Sequence, residues 1–161
     1  MRKKLCLILV AVWGMALLAG CSDEAQNAAP FSPQTEAIHE TDKKEQATMK
    51  MNVQIGNQIF TATLADTKAA QEFAQMLPMT ITLNDYSGFE KVGSLGRSLT
   101  TSNSQITTVA GDIVLYNSSN IVMFYGSNSW SYTRLGKIDD LTGWADALGH
   151  GSVTAIFTLV N

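Results

Sequence analysis

From residue 49 onward the sequence predicts a mainly β domain folded as a closed or nearly closed barrel with two short helices. Three observations carry this. Seven or more short apolar runs are separated by turn residues, only two segments have helical spacing, and so many short strands are best freed of exposed edges by closing the sheet.

The elements follow in order. Met49, Met51, Val53 and Ile55 alternate with polar residues, the period of a half-buried strand, and Phe60, Ala62 and Leu64 continue it over Gln58 to Leu64. The Gly56-Asn57 pair between them predicts a hairpin. Asp66 is placed to cap a helix from Thr67 to Leu77, whose Ala69, Ala70, Phe73, Ala74 and Leu77 share a face and whose end is enforced by Pro78. Its narrow, alanine-rich face suits close packing on a sheet or at a barrel mouth.

Met79 to Leu83 is a strand rich in Thr and Ile, followed by a loop from Asn84 to Gly88. Phe89 to Thr108 reads as loops and short strands. Ile113 to Tyr116 and Ile121 to Tyr125 form a second hairpin across Asn117-Ser118-Ser119-Asn120. Ser131 to Ile138 is a strand, Leu141 to Leu148 a short helix capped by Asp139 or Asp140, and Ser152 to Val160 a last strand.

The first third of the 161-residue chain has a different character. Arg2, Lys3 and Lys4 precede an apolar run from Leu5 to Leu18, then Ala19 and Gly20. This is the order of a secretory signal, and the run falls short of the ~20 residues that span a bilayer. Leu18-Ala19-Gly20-Cys21 resembles a lipobox, which implies a thioether lipid on Cys21 and cleavage before it. Two or three acyl chains would hold the protein stably on a membrane, at about 0.8 kcal/mol per buried CH₂. The expected place is the cell envelope. Where the organism has two membranes, Ser22 after the cysteine resembles the outer-membrane sorting choice and implies the periplasmic face.

Residues 21–48 combine Pro30, Pro33 and many charges with no apolar period, so they are expected to be a flexible tether reaching roughly 30 Å, with His39 in solvent. The domain is assigned to residues 49–161.

Bulk chemistry removes several functions. Net charge is −3 and no Lys/Arg cluster follows Lys44, against the grouped cations of a nucleic-acid binder. The two cysteines, Cys6 and Cys21, both precede the domain, leaving no thiol for a disulfide, a nucleophile or a metal. No metal or other cofactor is called for.

The succession Val53-Gln54-Ile55, Phe60 to Leu64, Ala69-Ala70, Met76-Leu77-Pro78, Glu90-Lys91, Gly111 to Tyr116, Val122 to Tyr125 and Arg134 to Ile138 resembles a family of bacterial cyclophilin-like domains. The resemblance covers residues 49–159 and implies a barrel of about eight strands with a helix near each end, related in fold to peptidyl-prolyl isomerases. It carries no catalytic residues. True cyclophilins resemble one another through an arginine, an apolar proline pocket and Gln, His and Trp around it. This chain has no FHR-type strand, no MIQGGD-type segment and no GSQFF-type run, so isomerase activity does not follow from the fold.

Trp130, Tyr132 and Arg134 are spaced by two, so a strand projects all three to one face. Rings beside a guanidinium suit stacking and recognition of an anion or carbonyl; otherwise the arginine stem packs over rings on the outer wall. Glu90-Lys91 follows the aromatic turn from Tyr86 to Phe89. It reads as a carboxylate and cation at a pocket mouth, or as a solvated ion pair or a bridge from Glu90 to Arg134. His150 lies between two glycines and reads as a turn residue, and Asp139-Asp140 as a helix cap rather than a carboxylate pair. Trp130, Tyr132, Arg134, Glu90 and Tyr86 are the candidate ligand-binding residues.

The expected function is a membrane-tethered module binding an exported peptide or small molecule. The alternative is a prolyl isomerase or another envelope enzyme using Arg134 and Glu90. Cys21→Ser should abolish lipidation and cleavage, because a hydroxyl is too weak a nucleophile to replace the thiolate. Metabolic labelling with a fatty acid checks this, and equal label in wild type and mutant would refute the lipoprotein assignment.

Overall fold

The computed structural model describes residues 48–160. The signal segment, Cys21 and the tether as far as residue 47 lie outside the described residues. The element order is β1 (Lys50–Ile55), β2 (Gln58–Leu64), α1 (Lys68–Ala74), β3 (Met79–Tyr86), β4 (Glu90–Ser94), β5 (Ser104–Thr107), β6 (Asp112–Tyr116), β7 (Asn120–Phe124), β8 (Ser129–Ile138), α2 (Trp144–Leu148) and β9 (Val153–Leu159).

Eight strands form one antiparallel ring in the order β2-β1-β9-β3-β4-β7-β6-β8, which closes where β8 returns to β2; β5 pairs separately with the start of β8. Closure demands a close approach. A Cβ on Gly136 would lie 2.7 Å from the Thr63 carbonyl oxygen, so only glycine fits at this seam. Next to it the β6–β8 register shifts by one residue, with Ile113 opposite Gly136 and Val114 opposite Arg134. This bulge keeps Leu135 in the core while Arg134 faces out.

The barrel interior holds Met51, Val53, Leu83, Ile113, Leu115, Ile121, Met123, Leu135 and Phe157, all fully buried. Phe73 of α1 meets Phe157 edge-on at 5.6 Å. Trp144 of α2 meets Phe60 at 5.0 Å, and its indole N–H donates to the Phe124 carbonyl at 2.8 Å. Gly93 points inward as well, where a Cβ would lie 2.6 Å from Leu83 Cδ2.

Four local expectations need correction. The cap of α1 is Thr67 rather than Asp66: its hydroxyl accepts from the Ala70 N–H and donates to the Arg134 carbonyl, tying the helix start to β8. The helix is also shorter, ending at Ala74, with a cis Leu77-Pro78 bond beyond it. Asn84 and Asp85 do not form a loop. They pair with Val92 and Lys91, and the turn falls on Ser87 and Gly88, both at positive φ, because the ladder outweighs local turn propensity. Neither Asp139 nor Asp140 caps α2, which starts at Trp144 after Gly143. Asp139 takes Lys50 Nζ at 2.8 Å and the Thr63 hydroxyl at 2.6 Å, while Asp140 accepts from the Thr142 N–H.

One end of the barrel is fastened by Lys91. Its side chain is fully buried, and its Nζ donates to Asp85 Oδ1 at 2.7 Å, to the Gly149 carbonyl at 3.0 Å and to the Gly151 carbonyl at 2.7 Å. All three ammonium hydrogens are used. The Tyr125 ring lies 5.4 Å from the same nitrogen, and its hydroxyl donates to Asp85. The Lys91 hydrogen bond, then that from Tyr125, hold the Asp85 carboxyl below its ordinary value. This contribution to stability is present above the ordinary Asp range and is lost as pH falls through the lowered value. Lys91→Met should cost about 2–4 kcal/mol, since it leaves two carbonyls without their donor and Asp85 with Tyr125 as its remaining side-chain donor. Urea unfolding at neutral pH measures the loss, and an unchanged midpoint would show that the end is held by other contacts.

Candidate functional site

The site is built on the outer face of the barrel. Side chains alternate along β4, so Glu90 and Val92 point out while Lys91 and Gly93 point in. The register carries the outward row across the sheet: Tyr86 stands opposite Glu90 and Glu90 opposite Phe124, while Val92 faces Val122, which faces Val114. Val114, Val122, Phe124 and Tyr132 are buried on this face and form a second, smaller core beside partly buried Val92, Ile106 and Tyr116. β5 helps to cover it, setting Ile106 opposite Trp130 and Ser104 opposite Tyr132.

Above this layer lies a groove of about 280 Å³. Its apolar lining is Val92 and Val122, its aromatic walls are Tyr86, Tyr116, Trp130 and Tyr132, and Glu90 and Asn128 complete it. The rings are set against one another edge-on: Tyr132 is 6.0 Å from Tyr116 and 5.7 Å from Phe124. Asn128 Nδ2 donates to the Tyr132 hydroxyl at 3.0 Å, which leaves the phenolic hydrogen free to donate in turn. At the rim, Tyr86 is 60 % exposed and Trp130 56 %. These are large apolar surfaces left in water.

Glu90 is the unusual member. Only 6 % of it is exposed, and its Oε2 is buried with no hydrogen-bond partner. A buried acceptor without a donor costs free energy, more so when charged. Burial accordingly pushes its carboxyl up to about 7. Tyr132 is pushed up too, by burial first and then by the Glu90 charge.

The structure brings four sequence candidates, Tyr86, Glu90, Trp130 and Tyr132, to one groove and places Arg134 elsewhere. Arg134 shares their face of β8 but lines a separate hollow with Thr63, Leu64, Lys137 and Asp139, and its guanidinium lies 3.7 Å from the buried Asp112 carboxylate. A Glu90–Arg134 bridge is therefore not formed. Nor do Glu90 and Lys91 pair, because adjacent strand residues point to opposite sides. His150 is an exposed turn residue between Gly149 and Gly151. Asn128, Tyr116 and the small outer core were missed by sequence reasoning. The signal for Tyr116 and the outer core was the unbroken apolar run Ile113-Val114-Leu115-Tyr116, the mark of a strand covered on both faces.

Among the described residues, no three His, Cys, Asp or Glu come together as a metal site, and no helix is long and apolar enough to cross a membrane. The arrangement offers a carboxyl group and aromatic faces for non-covalent recognition.

A sequence model described as a cyclophilin-like family matches residues 53–158. Among solved structures, the chain is similar to a hypothetical protein of Archaeoglobus fulgidus known in solution, with a TM-score of 0.56 and 12 % identity over 73 % of this chain and 99 % of that one. That similarity is one of fold. No curated protein matches the chain.

The raised value of Glu90 makes a stability prediction. Between the ordinary Glu range and pH 7 the folded protein binds more protons than the unfolded one, so the cost of Glu90 is absent in acid and complete above pH 7. Glu90→Gln, which needs no charge buried, should gain on the order of 1–2 kcal/mol at pH 8, allowing for solvent at the groove mouth, and little at pH 4. Melting curves at the two pH values check this; an equal change at both would mean that ionisation is not the cause.

Proposed function

The chain belongs to the cyclophilin-like family, and on that premise we propose that it is a lipid-anchored binding module of the cell envelope, holding a peptide or small molecule in the groove around Glu90. One observation carries the reading: the buried Glu90 Oε2 lacks a partner at the edge of an aromatic groove that a ligand donor could enter. A carboxylate that served only the fold would have been given a donor, as Asp85 and Asp139 have been. The anchor is the lipid on Cys21, with residues 22–48 as the tether. Where there are two membranes, the domain stands at the periplasmic face of the outer one.

Groove size bears on the ligand. Drug-sized pockets run from about 300 to 1,000 Å³, so a cavity of about 280 Å³ suits one side chain or a small fragment rather than a folded segment. Flanking parts of a longer ligand would lie over Tyr86 and Trp130. An enzyme joining Glu90 and Arg134 on one substrate is disfavoured, since the two line different hollows. The same separation counts against prolyl isomerisation, which resemblance to true cyclophilins would assign to an arginine beside an apolar pocket.

Two measurements test the proposal on the full chain in detergent micelles. Prolyl-peptide isomerisation should be no faster with micromolar protein than without it. In a screen of peptides and fragments, binders should map to the groove. Trp130→Ala should weaken them by about 1–3 kcal/mol with little change in melting midpoint, as befits an exposed anchor, while Arg134→Ala leaves them unaffected. Binders that map elsewhere, or acceleration of the isomerisation, would overturn the reading.

A further inference from the structure

The groove's chemistry narrows its ligand beyond the reading above, on which this step rests. The geometry points to a lysine side chain, presented by an extended peptide, as the group that enters the groove and places its ammonium on Glu90. Charge complementarity is the first argument. Four aromatic rings and a carboxyl group surround the space, and no Lys, Arg or His lines it. Ring faces carry the negative part of the aromatic quadrupole and attract a cation, most strongly where water is excluded. An ammonium also brings a donor to the Glu90 carboxyl group, which lines the groove and whose Oε2 has no partner within the fold. An anionic or purely apolar ligand would leave that carboxyl group without a donor.

Shape supplies the second argument. The cavity is of side-chain size and its lining beside the carboxyl is apolar, with Val92 and Val122, which suits an alkyl stem ending in a charge. Tyr86 and Trp130 stand largely exposed at its rim, where a free small amine would leave them uncovered. A peptide flanking the inserted side chain covers both. The source is therefore polypeptide rather than free amine.

Proton linkage follows. Glu90 must be ionised to hold the cation, so affinity falls as pH drops below the value of about 7. The titratable groups around it are the phenols of Tyr86 on β3, Tyr116 on β6 and Tyr132 on β8, with Tyr125 just beyond β7; Lys91 and Asp85 are paired to each other at the barrel end. Binding at pH 6 should be about tenfold weaker than at pH 8, in proportion to the ionised fraction.

The test uses the full chain in non-ionic detergent, with acetyl-Gly-Lys-Gly-amide, its norleucine counterpart and butylammonium as probes. Binding is read by calorimetry and by tryptophan emission, with Trp130→Phe identifying the responding ring. The lysine peptide should bind at least tenfold more tightly than the norleucine peptide and more tightly than butylammonium. Glu90→Gln should remove the preference for lysine while its melting midpoint at pH 8 stays at or above wild type. Equal binding of the lysine and norleucine peptides, or a preference unchanged in Glu90→Gln, would overturn the inference and leave the groove as a binding site. Butylammonium binding as tightly as the peptide would overturn the polypeptide source. If no probe, and no member of the wider fragment panel, perturbs Trp130, the proposed binding function falls with it.

Discussion

Glu90 and Lys91 are bonded neighbours of opposite charge, and the pleat of β4 forbids them to neutralise each other. Lys91 points into the barrel end, where a carboxylate and two carbonyls take its three hydrogens. With Lys91 committed inward, Glu90 must face out, onto an apolar surface between Tyr86 and Phe124. A strand cannot rotate one residue without rotating the next, so the anchoring of the cation fixes the isolation of the carboxyl group.

The apolar surface around Glu90 depends on how β8 is divided. Its second half belongs to the barrel, pairing with β6 and closing on β2 at Gly136, while its first half pairs with β5. Trp130 and Tyr132 are thus carried over the outer face, where Tyr132 is buried against Phe124 and Tyr116 while Trp130 stays at the rim. Arg134 keeps the face of Tyr132, but it lies beside Asp112, and its guanidinium is drawn to that carboxylate in the neighbouring hollow. Sharing one face of a strand did not put the three side chains in one site.

Much of the barrel was legible because its strands obey a period of two and its turns carry Gly and Asn. The hairpin at Gly56-Asn57, the strand after Ser152 and the β6–β7 pair are read directly from such patterns. Asn84 and Asp85 misled, since their turn propensity is local and their ladder partners lie across the turn. Asp66 and Asp140 misled for a related reason: several polar residues near a helix start can cap it, and the choice depends on contacts made at a distance, such as Thr67 to the Arg134 carbonyl. The aromatic side of the groove was legible through the spacing of Trp130 and Tyr132. Convergence of Glu90 and Tyr86 on it required the pairing order β3-β4-β7-β6-β8, which no single segment encodes.

The contrast between the two charged residues of β4 bears on function more than either does alone. A buried lysine with three acceptors is a satisfied structural group, costly to disturb but complete. A buried glutamate with an orphaned oxygen is incomplete, and burial pushes its carboxyl up to about 7. The aromatic rings around it shelter the group without satisfying it; valine or leucine there would pack the same face without the penalty. Such a local conflict between sequence and stability is why the proposed ligand is placed at Glu90, the one buried side-chain oxygen among the described residues to which the fold supplies no donor.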